Sequence, residues 1–291
     1  MKKGKKPRLP SRAGMLLARL PAPRWLYPLY LSRQLYLKED TLCLPALPEA
    51  LDGLRIAYAS DIHYGAYLGR ERLTQLADRL NALQADVMIL GGDYGENSQT
   101  TLDFWRDVPD LQAKLAVCAV MGNHDLSHMN AAGIAKAMRL RGVTPLINGA
   151  LSLRRNGCRF ALCATDDPVM GAPDYARMAR QAAGEPFVIY APHSPDALKD
   201  AYAVSEKPFF DLALCGHTHG GQIAFFGFAP RISSLHGLRY GNRYRAGIVR
   251  EKGVTVLISN GVGASWLPLR LGAPPQYHLI TLRKDGSHEK R

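Results

Sequence analysis

Gly216-His217-Thr218-His219-Gly220-Gly221 follows the apolar run Asp211-Leu212-Ala213-Leu214-Cys215. A short hydrophobic run is too brief for a helix and reads as a buried strand, so two imidazoles leave one strand end together. The flanking glycines remove side chains that would crowd the backbone, and both rings can turn toward one centre, as a metal or phosphate site requires. Taken alone, the stretch is equally a polar turn with two surface histidines. Whether other strands end in the same way decides between the two.

They do. Leu54 to Ser60 alternates as a strand and ends at Asp61-Ile62-His63, and Asp86 to Leu90 stops at Gly91-Gly92-Asp93. Leu115 to Val120 stops at Gly122-Asn123-His124-Asp125. Between these runs, residues 70–84 carry Leu73, Leu76, Ala77, Leu80 and Leu83 at helical spacing, and a second helical stretch covers 99–112. Strand, helix, strand, helix, strand in units of about thirty residues is the pattern of βαβ crossovers and a largely parallel core.

Residues 129–141 form another helical pattern, closed by Gly142 as a left-handed cap. Short runs at 143–147, 151–154 and 158–164 predict antiparallel strands, and a helix is expected near 174–183. Phe187 to Ala191 is a strand ending at His193, with Ser194 as N-cap and Pro195 opening the next helix. Short β segments follow the histidine pair around 222–226, 244–250, 253–259 and 277–283.

Five strand ends thus deliver Asp61 and His63, Asp93, Asn123 and His124, His193, and His217 and His219. In open α/β sheets the functional crevice lies beyond the carboxyl ends of the strands, where such scattered residues converge. Imidazole, carboxylate and amide ligands without thiolate suit Mn²⁺, Fe²⁺ or Zn²⁺ over Ca²⁺ and do not choose among the three.

The blocks Asp-x-His, Gly-Asp-x-x-Asp, Gly-Asn-His-Asp/Glu, His and Gly-His-x-His occur in this order in the calcineurin-like metallophosphoesterases, which the chain resembles from about Leu54 to Leu282. Glu96 stands where the second block usually has aspartate. The resemblance implies an α/β layered sandwich of two mixed β-sheets flanked by helices, with two divalent metal ions at the strand ends. One ion is implied on Asp61, His63, Asp93 and His219, and the other on Asp93, Asn123, His193 and His217. A shared carboxylate can hold two cations roughly 3.5 to 4 Å apart, close enough to polarise one phosphoryl group.

The implied reaction is in-line attack of a metal-bridging hydroxide on phosphorus. His124 protonates the leaving oxygen or stabilises its charge, and Asp125 orients His124. Arg270, in a Gly/Pro-rich loop beside Trp266, is a weaker candidate for clamping a phosphate oxygen, with a structural salt bridge as the alternative. His128 and His236 read as surface side chains, and Asp166-Asp167 as a turn. The expected substrate is a phosphoester, taken by a phosphodiesterase or pyrophosphatase. The competing reading is a non-catalytic metal-binding scaffold of the same fold, although every block is filled here.

Composition adds a location. The 291 residues are 47% hydrophobic and 21% charged, as in globular proteins. Ten basic residues and no acid precede Glu39, leaving 27 basic against 25 acidic residues beyond, so most of the net +12 belongs to the first 38 residues. That segment interleaves cations with Leu16, Leu17, Trp25, Tyr27 and Tyr30 but has no uninterrupted apolar span. Such a mixture suits an anionic membrane surface, each cation adding on the order of 1 kcal/mol, with a disordered leader and a nucleic-acid arm as the alternatives. The near-neutral body argues against long nucleic acid, which meets a broad basic face.

Residues 1–50 are therefore expected to be a basic and aromatic tail, 51–285 the metallophosphoesterase domain, and 286–291 a polar end. The five cysteines contain no Cys-x-x-Cys pair. They fit a reducing compartment, hence a cytoplasmic protein peripheral on the inner face of the membrane. Oligomeric state is not legible.

Overall fold

The computed structural model describes residues 34–127, 130–224, 229, 241–265 and 267–285. Most of the basic tail, His128, His236 and Trp266 lie outside them.

The strands, in chain order, are β1 (Tyr36–Leu44), β2 (Arg55–Ala59), β3 (Val87–Leu90), β4 (Ala116–Ala119), β5 (Thr144–Pro145) and β6 (Gly149–Arg155). They continue with β7 (Cys158–Ala164), β8 (Val188–Tyr190), β9 (Leu212–Cys215), β10 (Gly247–Glu251), β11 (Val254–Ile258) and β12 (Gln276–Lys284). The α-helices are α1 (Arg70–Ala82), α2 (Ser98–Asp107), α3 (Ala131–Leu140), α4 (Tyr175–Ala182) and α5 (Ala197–Ala201).

Two six-stranded sheets form, ordered β1-β12-β2-β3-β4-β5 and β10-β11-β9-β8-β7-β6. Both are mixed. β2 to β5 are parallel, while β12 runs antiparallel to β2. In the second sheet β7, β8, β9 and β11 are parallel, and β6 and β10 are antiparallel edges. The run at 143–147, expected to be antiparallel, instead extends the first sheet in parallel through β5.

Strand alternation builds the layers. Ile56, Tyr58, Val87, Ile89 and Ile280 face Phe160, Leu162, Ile189, Leu212 and Leu257 across the middle of the sandwich. Their neighbours Ala57, Ala59, Met88 and Leu90 face outward, under Leu73, Leu76 and Leu80 of α1, Phe104 and Trp105 of α2, and Met138 of α3. Cys163, Tyr190, Ala213 and Ile258 face the other way, under Met178 of α4 and Leu198 of α5. The architecture is thus the expected sandwich of two mixed sheets between helices.

Nine residues of the expected tail belong to this architecture. β1 pairs in parallel with β12 from Tyr36 to Leu44, and Leu42 and Leu44 are buried in the central layer. Gly142 has φ +70°, the left-handed cap read from the sequence. Among the described residues no helix is long and apolar enough to cross a membrane.

Candidate metal centre

Asp61 and His63 leave β2, Asp93 leaves β3, Asn123 and His124 leave β4, His193 leaves β8, and His217 and His219 leave β9. Five of these residues have positive φ: Asp61 (52°), His63 (49°), Asp93 (56°), His217 (69°) and His219 (53°). For residues with a Cβ this conformation costs on the order of 1 kcal/mol or more each, and such strain persists where the surroundings overdetermine it.

The surroundings do so here. The amide of His217 donates to both carboxylate oxygens of Asp61 (2.9 and 3.0 Å), and the amide of His124 donates to Asp93 Oδ1 (2.9 Å). A Cβ on Gly216 would overlap Asp61 Oδ2, and one on Gly122 would overlap Asp93 Oδ1. Glycine lets the two backbones approach the two carboxylates. Tyr94, between Phe104 and Trp105 (ring centroids 5.0 and 4.9 Å), reaches the carbonyls of Val120 (2.6 Å) and Leu90 (3.0 Å) with its hydroxyl. It ties the exits of β3 and β4 together.

Ligand atoms of Asp61, His63 and His219 lie within 4.8 Å of one another, as do those of Asp93, His193 and His217. In the first group Nε2 of His219 is 3.1 Å from Nε2 of His63 and 3.6 Å from Asp61 Oδ1. In the second, Nε2 of His193 is 3.2 Å from Asp93 Oδ2 and 3.3 Å from Nδ1 of His217. His193 donates from Nδ1 to the Gly91 carbonyl (2.7 Å), which leaves Nε2 as the lone-pair nitrogen when the ring is neutral. Oδ1 of Asn123 is buried with no hydrogen-bond partner among the described residues. A buried amide oxygen in that state lacks a donor or a cation.

The electrostatics agree with a site built for cations. Burial raises the Asp61 carboxyl above its usual range, and Asp93 adds to the rise. Burial opposes a charge on Asp93 as well, yet His193, His124 and His63 together hold its carboxyl well below the usual value. Burial would lower His63, but Glu96, Asp93 and Asp61 override it and lift the ring to about 9. Burial likewise works against a charged His193, and Asp93 and Asp61 override it. In the absence of metal, protons on imidazoles balance the carboxylates.

Oxygen and nitrogen donors, two clusters, an orphaned amide oxygen and clustered carboxylates fit divalent cations. The profile of the family described as calcineurin-like phosphoesterase matches residues 54–221 of this chain. The chain belongs to that family. It is a metallophosphoesterase, a hydrolase of phosphoesters, as the sequence blocks implied. It is 29% identical over 249 residues to the uncharacterised metallophosphoesterase YkuE of Bacillus subtilis, covering 84% of each chain. It is 25% identical to a metallophosphoesterase of Aquifex aeolicus, over 87% of this chain and 94% of that one. It is 26% identical to a transmembrane protein with metallophosphoesterase domain from Danio rerio, over 82% of this chain and 55% of that one. Among solved structures, Haemophilus influenzae NAD nucleotidase is similar at 13% identity and a TM-score of 0.44, over 72% of this chain and 51% of that one.

In this phosphoesterase His124 stands at the rim of the centre. Its side chain is 20% exposed, and one ring nitrogen lies within 4.8 Å of ligand atoms of His63 and Asp93. Nδ1 is 3.1 Å from the Glu96 carbonyl and 3.9 Å from Glu96 Oε2. The other Glu96 oxygen is 3.1 Å from Nδ1 of His63, a charge contact and not an aligned hydrogen bond. Burial works against a charged Glu96, but His63 outweighs it and keeps the carboxyl low.

The expected orienter of His124 does something else. Asp125 is fully buried and accepts from the amides of Gly122 (2.9 Å), Asp93 (2.8 Å) and Tyr94 (3.0 Å) and from the Thr101 hydroxyl (2.7 Å). Its carboxylate locks the β3 and β4 exits to α2, and the group beside the His124 ring is Glu96.

Arg270 also departs from expectation. It is fully buried, so its guanidinium faces neither solvent nor an incoming phosphate, and the Asp61 carboxylate acts on its charge without a direct ion pair among the described residues. It donates to the carbonyls of Asn260 (2.7 Å), His219 (2.8 Å), Gly263 (2.9 Å) and Ala273 (3.3 Å), and burial lowers its pKa to about 9. Sequence supplies its charge but not its burial, because nothing local in Pro268-Leu269-Arg270-Leu271 distinguishes a clamp from a core strut.

Asp167 was read as a turn residue and does form one, accepting from the amides of Val169 and Met170 (2.8 Å each). It is also buried, with Oδ2 unpartnered among the described residues, at the exit of the strand beside β8. Burial pushes its carboxyl up to about 6, with His193 acting to lower it and Asp93 to raise it. Only the pairing of β7 with β8 brings it beside the centre.

Proposed function

We propose that this phosphoesterase binds two divalent cations that share Asp93 and hydrolyses a phosphodiester or pyrophosphate at a membrane surface. Asp61, His63, Asp93 and His219 hold one cation, and Asp93, Asn123, His193 and His217 the other. The observation that carries the reading is Asp93, whose Oδ2 is within 3.8 Å of His63 Nε2 and 3.2 Å of His193 Nε2. One carboxylate oxygen lies between two ligand sets, the arrangement a shared ligand requires.

When bound, the cation pair supplies Lewis-acid polarisation of the phosphoryl oxygens and a hydroxide at neutral pH for in-line attack. The chain's own residues do the rest. His124, with Nδ1 held against the Glu96 carbonyl, presents its other nitrogen to the leaving oxygen and gives it a proton. Asp125 keeps the amides of Gly122 and Asp93 in place, and so the two loops that carry Asp93 and Asn123. The wall of buried residues around Asp61 and His63 excludes water, which strengthens each charge contact inside.

The membrane part of the reading rests on the basic and aromatic composition of residues 1–38. Relatives described as transmembrane proteins with a metallophosphoesterase domain are in keeping with it. The full chain, stripped and reloaded with Mn²⁺, Fe²⁺ or Zn²⁺, is assayed on monoesters, diesters and pyrophosphates, with and without anionic vesicles. Diester or pyrophosphate turnover stimulated by vesicles is expected, and lost when residues 1–33 are deleted. A loaded protein that cleaves nothing favours a scaffold, and turnover indifferent to vesicles removes the membrane.

A further inference from the structure

Arg270 is a buried cation on which the Asp61 carboxylate acts without a direct ion pair among the described residues, and its bond to the backbone of His219 explains where it sits. Nη1 donates to the His219 carbonyl (2.8 Å), and Nη2 lies 3.0 Å from Nδ1 of the same residue. A guanidinium has only donors, and a neutral ring that accepts at Nδ1 carries its proton on Nε2, so the backbone bond and not the ring contact serves a His219 that ligates through Nε2. That nitrogen faces His63 Nε2, 3.1 Å away, and Asp61 Oδ1, 3.6 Å away.

The same head group gathers the chain on the other side of the centre. Its bonds to Asn260, Gly263 and Ala273 draw the segment after β11 into a tight loop, and a further donor of Nη2 also reaches the Gly263 carbonyl. That loop packs on the β2 exit, where the amides of Val262 and Gly263 donate to the carbonyls of Ser60 (3.0 Å) and Asp61 (2.7 Å). A Cβ on Gly261 would come to 2.6 Å of Asp61 Cβ, so the loop lies flat against this residue. One guanidinium therefore sets the backbone of His219 directly and that of Asp61 through the loop. Both belong to the same ligand cluster, and neither to the Asp93, His193 and His217 cluster.

We infer that Arg270 is a positioning residue for the first cation, fixing His219 and Asp61 together, and that it does not act on substrate. The inference rests on the two-cation reading. Lysine cannot replace it, because a single ammonium with three donors does not span the four carbonyls.

The test uses the full chain, stripped with chelator and titrated with Mn²⁺ alone, reading equivalents bound and the spin coupling of the manganese signal. Wild type is expected to take two equivalents. In Arg270→Lys and Arg270→Gln one equivalent is expected to bind at least tenfold more weakly and the coupled signal to disappear, as in His219→Asn and unlike His217→Asn. Either variant binding both equivalents as wild type does would overturn the inference, as would equal weakening of both with a lowered melting temperature. Fewer than two equivalents in wild type contradicts the two-cation reading instead.

Discussion

Oδ2 of Asp93 stands 3.2 Å from Nε2 of His193 and 3.8 Å from Nε2 of His63, although these residues leave three different strands in two different sheets. Oδ1 of the same carboxylate is held by the His124 amide. One oxygen of Asp93 is thus fixed by a backbone amide, and the other faces both histidines. Asp93→Asn keeps the shape and the first contact while removing the charge. It is expected to lower metal content below two per chain and turnover by about 100-fold or more, read by elemental analysis and steady-state kinetics.

Cation uptake should release protons. His63 is held at about 9, with Glu96, Asp93 and Asp61 outweighing burial, so the metal-free ring is protonated at pH 7.5. It must lose that proton to become a ligand. Calorimetric titrations with Mn²⁺ in buffers of different ionisation enthalpy should show at least one proton released per chain at pH 7.5. A heat independent of the buffer would contradict this.

His124→Ala is expected to lower kcat by roughly 10² to 10⁴ while leaving metal content unchanged. The histidine is at the rim, with its backbone amide and not its ring on Asp93. The loss should shrink for esters with good leaving groups such as p-nitrophenol, because these need no proton. An equal loss on all esters would remove His124 from proton transfer.

Asp125→Ala should act through stability. It strips the acceptor from three buried amides and one hydroxyl, at a cost of about 3 kcal/mol or more. Urea unfolding of the metal-free protein measures this, and a change below about 1 kcal/mol would contradict the locking role.

Asp167 gives a pH signature. Its carboxyl is raised by burial from 3.8 to about 6, so the unfolded chain ionises first as pH rises. The penalty is absent below about pH 4, grows between 4 and 6, and is complete above, where it reaches at most about 3 kcal/mol. Asp167→Asn removes this dependence. The metal-free variant should lose less stability than wild type between pH 4 and pH 7, and parallel profiles would contradict the assignment.

How far the sequence reached can be seen at particular residues. The strand ends were legible because each run of alternating or apolar residues stops at a ligand-type side chain, preceded by glycine in three of the five, and local pattern fixes both. The order of strands within the sheets was not, since nothing near Thr144 says that it pairs in parallel with Cys118. β1 was hidden because its exposed positions carry Tyr36 and Leu37 and its neighbours are the basic tail, so composition masked alternation. Glu96 was visible as a departure from the family block, but not its reach to both His63 and His124. Arg270 and Asp167 needed burial, a property of the whole fold and not of their neighbours in the chain.

The most direct measurement is a crystal of the full chain grown with Mn²⁺ and recorded for manganese anomalous scattering. Two peaks roughly 3.5 to 4 Å apart, one on each side of Asp93 Oδ2, are the result expected of a shared carboxylate. A single peak, or two peaks that do not both contact Asp93, would contradict the account.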